Sequence, residues 1–101
     1  MTVVEEVLAE EYARSLRITA ALERKISQLP RGSIRARVIG SGTYYYLQWR
    51  EGAHVRSKYV RVEELSSLKQ QLALRKKHIS ALKEQERTRR QIERALGGKP
   101  L

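Results

Sequence analysis

The chain has 101 residues, with 21 lysines and arginines against 11 acids, a formal net charge of +10 and 41% hydrophobic residues. That length predicts a single domain, and it excludes a doubly wound nucleotide-binding sheet and a large enzyme with a deep, dry cavity. No cysteine is present, which excludes disulfides and thiolate zinc sites.

The first element in chain order is a helix predicted over 2–29. Val4, Leu8, Tyr12, Ser15, Ile18, Leu22, Ile26 and Leu29 recur at spacings of three and four. Thr2 reads as the N-cap, with Glu5 three residues later in capping-box position. Pro30 and Gly32 stop the helix. Over 33–62 the period falls to two. SIRARVI, TYYYLQWRE and HVRSKYVRV are strand-like runs joined at Gly40-Ser41-Gly42 and Glu51-Gly52-Ala53, a pattern that predicts a three-stranded antiparallel meander. The helical period returns over 63–96 on Leu65, Leu68, Leu72, Ile79 and Leu82, with Arg75 interrupting the seam. Beyond Leu82 the stretch EQERTRRQ is polar all round before Ile92 and Leu96, and 97–101 reads as a flexible tail. The predicted fold is α+β: a long N-terminal helix, the meander, and a long C-terminal helix, the two helices forming an antiparallel hairpin. Its core is thin, so a homodimer that buries the remaining apolar stripe is expected.

Charge is uneven along the chain. Residues 1–30 carry a net −1, residues 31–62 a net +6 and residues 63–101 a net +5. A sign asymmetry of this kind points to a polyanion partner. Alternation along the strands assigns Tyr45, Leu47 and Trp49 to the core, with Ile34, Val38, Val55 and Tyr59 beside them. The opposite face then presents Arg35, Arg37, Tyr44, Tyr46, Gln48, Arg50, Arg56 and Lys58. Arginine and lysine neutralise phosphates. Glutamine and arginine read base edges in a major groove, and tyrosine stacks on unpaired bases. Both modes, sheet in groove and stacking on single strands, remain open at this point. So does a purely structural role, because cross-strand tyrosine and arginine pairs stabilise small sheets without a ligand. On the second helix, Arg87, Arg89 and Arg90 are candidate phosphate contacts.

The chemistry of catalysis is sparse. There is no aspartate, and His54 and His78 lie far apart in sequence with no carboxylate at ligand spacing, so neither a metal nor another cofactor is expected. LPRGS lacks the glycine-lysine-serine/threonine ending of a phosphate loop. No apolar run approaches the roughly 18 residues that span a bilayer. MTVVEEVLAEEYA also carries acid where a secretory leader carries base, so a cytoplasmic protein without membrane contact is expected. The expected function is a small basic nucleic-acid-binding accessory or regulatory protein, DNA ahead of RNA, with no enzymatic activity. The alternative is a helical-hairpin interaction or oligomerisation module with an acidic protein partner.

The most specific stretch is LPRGSIRAR followed by GTYYYLQWREGAHVRSKYV. It resembles a family of small uncharacterised prokaryotic proteins, a domain of unknown function. That family pairs an LP(K/R)GS helix exit with a YYYLQ(W/Y)R(E/D)G strand and a V(R/K)SKY return strand between charged helices. The resemblance implies the helix–meander–helix layout and says little about activity. The strand pair also resembles small β-ribbons on DNA-binding arms of mobile-element proteins, a likeness that transfers no residue roles.

Overall fold

The computed structural model describes residues 1–97; the predicted tail beyond Gly97 lies outside the described residues. The elements are α1 (Val3–Ser27), β1 (Ser33–Ile39), β2 (Gly42–Glu51), β3 (His54–Val60) and α2 (Val62–Ala95). This is the α+β layout that the change of period predicts. Met1–Gln28 and the chain from Lys77 form one compact unit, and Leu29–Lys76 form the other.

In the helical unit, α1 starts where its cap dictates. The Glu5 amide donates to Thr2 Oγ1 at 3.1 Å, satisfying one of the free N–H groups of the first turn. Glu5 and Glu6 lie in the first turn and Arg24 and Lys25 in the last, each on the side of the helix dipole that favours its charge. The C-terminal half of α2 packs antiparallel against α1. Tyr12 pairs with Glu93, and Ser15 and Thr19 pair with Arg89. Ile92 and Leu96 are buried there. Val4, expected in the seam, is exposed together with Val3 and Val7. The register that sets Tyr12 beside Glu93 carries this first turn of α1 past the end of α2 at Ala95.

The polar stretch EQERTRRQ does not leave the pair unpacked. Ser15, 3% exposed, donates to Gln85 Oε1 at 2.8 Å. Arg89 Nη1 donates to Ser15 Oγ at 3.1 Å and to Thr19 Oγ1 at 2.5 Å. Hydroxyls on one helix thus meet an amide and a guanidinium on the other, and the apolar seam is replaced for one layer by a satisfied polar one. His78 on α2 is half-buried.

In the second unit the strands are antiparallel in the order β1-β2-β3. Both turns are two residues long: Ile39 pairs with Gly42 across Gly40-Ser41, and Glu51 pairs with His54 across Gly52-Ala53. Gly40 and Gly52 take φ of 62° and 58°, while among the described residues no non-glycine residue has positive φ. This is the hairpin arrangement that needs glycine only at the first central position, so Ser41 and Ala53 fit without strain. Leu47 and Val60 are the buried apolar residues of this unit. They line a cleft of about 480 Å³ with Pro30, Lys58 and the Glu63–Gln71 stretch of α2.

Candidate nucleic-acid interface

Paired residues in an antiparallel ladder share a face, so the register sorts every strand side chain. One face carries Leu47 with Ile34 and Lys58 opposite it, Tyr45 with Ala36 and Val60, and Trp49 with Arg56. The other carries Tyr46 with Arg35 and Tyr59, Tyr44 with Arg37, Gln48 with Ser33 and Ser57, and Arg50 with Val55. Arg35, Arg37, Tyr44, Tyr46, Gln48 and Arg50 therefore do come together, as their alternation predicts.

The third strand departs from expectation. Arg56 and Lys58 lie on the Leu47 face, away from Arg35 and Arg37, while Val55 and Tyr59 lie on the Tyr46 face instead of in the core. The cause is the turn. A two-residue loop between Glu51 and His54 sets even positions of β2 opposite odd positions of β3, and this parity overrides the apolar character of Val55 and Tyr59. Val55 is 61% exposed and Tyr59 51%. Val38 is on the Leu47 face but is also exposed, because it sits opposite Thr43 at the hairpin end rather than beside the α2 turn that covers Leu47.

Of the two cations on the Leu47 face, Arg56 is paired within it. Glu51 Oε2 accepts from Arg56 Nε at 3.3 Å, and its Oε1 accepts from the Trp49 indole at 3.1 Å. The indole hydrogen bond, reinforced by Arg56 and Arg31, holds the Glu51 carboxyl below its ordinary value against a smaller opposing effect of desolvation. Lys58 sits on the rim of the cleft with Glu63 and Glu64.

The Tyr46 face has different chemistry. Its strand residues include three arginines and three tyrosines and no carboxylate. Tyr46 is the hub: the Arg37 guanidinium lies 5.4 Å from its ring centroid, and Tyr59 meets it edge-on with centroids 5.8 Å apart and planes at 67°. Tyr44, 40% exposed, folds its ring over Gly42, where an added Cβ would sit 3.3 Å from the ring atoms. Tyr59 is the functional candidate that alternation alone misses; the length of the Gly52-Ala53 turn was the signal that could have found it.

The arginines predicted on the second helix do not act as one group. Arg89 lies about 200° around the helix from Arg87, and it is spent on Ser15 and Thr19 of α1. Arg87 pairs with Glu84 within α2. Arg90 is exposed. Glu93 accepts from the Tyr12 hydroxyl at 3.0 Å, which raises the phenol's pKa above its ordinary value, with burial adding to the effect.

Among the described residues no helix is long and apolar enough to cross a membrane, and no group of three or more potential metal ligands occurs. Compared with known families, residues 6–70 match the model of a domain of unknown function, DUF6788. The chain belongs to this family. The DUF6788 match takes in most of α1, the whole meander and the first turns of α2, a wider span than the Leu29–Val62 stretch that carries the sequence resemblance. No curated protein and no solved structure matches the chain.

Proposed function

We propose that this DUF6788 protein binds nucleic acid, without catalysing a reaction, through the Tyr46 face of its sheet. The supporting observation is the composition of that face: Arg35, Arg37 and Arg50 around Tyr44, Tyr46 and Tyr59, with no strand carboxylate to compete with phosphate. Arginine forks hold phosphate oxygens in bidentate geometry, and the surrounding net charge of +10 favours approach of a polyanion. Arg56 and Lys58 no longer belong to this surface, nor does Arg89.

The test uses two charge-reversal pairs of equal net change. Arg35→Glu with Arg37→Glu is expected to abolish the mobility shift of a random duplex and of a single strand at low salt. Arg56→Glu with Lys58→Glu is expected to retain most of it. Circular dichroism checks that both remain folded. Equal loss from the two pairs, or no shift with the unaltered protein, would count against the reading.

A second reading draws on Val3, Val4 and Val7, which are 75%, 67% and 53% exposed on the first turns of α1. It makes this stripe a self-association surface. Sedimentation of the unaltered protein and of Val3→Glu with Val7→Glu tests it, with a dimer expected only for the former.

A further inference from the structure

Resting on the nucleic-acid reading of the Tyr46 face, we infer that the face selects unpaired bases and takes a single strand in preference to a duplex. Three features lead there. The first is the aromatic content. Tyr44 and Tyr59 are 40% and 51% exposed and flank the half-buried Tyr46. Stacking needs the flat side of a base, which a duplex keeps between its neighbours and a single strand offers.

The second feature is preorganisation. Tyr44 is laid over Gly42, and Tyr59 stands edge-on against Tyr46. Rings already held by their neighbours lose little freedom when a base settles on them. The third is width. A major groove of about 12 Å admits a two-stranded ribbon. Three strands place their outer axes about 10 Å apart before any side chain is added, and here the outer strands carry Arg35, Arg37 and Tyr59 on the face in question. Three strands nearly fill that width with backbone alone, so this face leads into a groove less readily than a two-stranded ribbon does. A flexible strand can instead run across it, its phosphates near the arginines and its bases on the phenol rings.

The experiment is fluorescence anisotropy with end-labelled oligomers of about 12 nucleotides: oligo-dT, oligo-rU and a mixed-sequence duplex. Oligo-dT or oligo-rU is expected to bind at least about tenfold tighter than the duplex. The salt dependence for a single strand and three arginines is expected to have a log–log slope of about −2. Tyr44→Ala and Tyr59→Ala are each expected to weaken single-strand binding by about fivefold or more. Tyr44→Phe and Tyr59→Phe are expected to restore it, because they keep the ring and remove only the hydroxyl. Trp49 emission, from the opposite face, reports whether each variant is folded.

Duplex binding as tight as single-strand binding overturns this inference and leaves the nucleic-acid reading standing. So does alanine at Tyr44 and Tyr59 without effect while Arg35→Glu with Arg37→Glu abolishes binding. No binding to any of the three oligomers overturns both.

Discussion

The two faces of the sheet share one central strand and differ in what stands across from it. β2 sends Tyr45, Leu47 and Trp49 one way and Tyr44, Tyr46, Gln48 and Arg50 the other, so aromatic residues go to both sides. On the Leu47 side, Ile34 and Val60 and the Leu68 turn of α2 are apolar neighbours, and Leu47 and Val60 are buried. On the Tyr46 side the cross-strand neighbours are Arg35, Arg37 and Tyr59, with Ser33, Ser57 and Val55 toward the other end. Side-chain type along β2 does not decide which face becomes core. The α2 turn laid over one face does: Leu47 is buried although Lys58 stands opposite it, and Val55 on the other face is 61% exposed.

That contrast breaks most sharply under truncation. Leu47→Ala is expected to cost about 2–5 kcal/mol in urea unfolding, the usual range for an apolar core residue. Val55→Ala, 61% exposed on the other face, is expected to stay within about 0.5 kcal/mol. Similar losses at the two sites would show that the faces are energetically alike.

Gly32, at the entry to β1, sharpens the comparison from the backbone side. It has φ of 118°, and a Cβ there would come within 2.1 Å of the Gln48 carbonyl oxygen. Gly32→Ala is expected to lower the melting temperature by more than its one methyl group suggests, at a cost above about 1 kcal/mol, because β1 must shift against β2. The buried polar layer of the helical unit comes next. Ser15→Ala leaves Gln85 and Arg89 without their shared hydroxyl, and about 1–3 kcal/mol of stability is expected to go with it.

The smallest effect is pH-dependent and confined to the Leu47 face. The Glu51 carboxyl is held below its ordinary value chiefly by the Trp49 indole. What the ionised carboxylate adds to stability is therefore fully present above the ordinary carboxylate pKa, and it is lost as pH falls through the lower folded value. Trp49 emission should change in that acid range and show no such step in Glu51→Gln, while the Tyr46 face carries no carboxylate to titrate there.

Much of this molecule is legible in its residues. Thr2 and Glu5 mark the start of α1, and the two glycine turns mark the meander. The match between Ile34 and Leu47 follows from simple alternation. The faces of β3 were also legible, since the two-residue Gly52-Ala53 turn sets their parity, but the apolar look of Val55 and Tyr59 argues the other way. Local hydrophobicity is a weaker guide than turn length where a strand is mostly exposed. The layer of Ser15, Thr19, Gln85 and Arg89 could not be read in advance. Each is unremarkable on its own helix, and the match exists only once α1 and α2 are set in register. Arg89 consequently looks like a free cation in sequence and is a tether between helices in the fold. The family match adds the shared domain and leaves the chemistry of the face to experiment.

The placement of cations on the outer strands has a consequence for crowding. Both β1 and β3 offer an unpaired row of backbone donors and acceptors to any neighbouring copy. If two β1 strands met antiparallel about Ala36, Arg35 of each would face Arg37 of the other; about Ser57, Arg56 would face Lys58. Like charges directly opposed across such a junction repel, so these registers of edge-to-edge pairing are disfavoured.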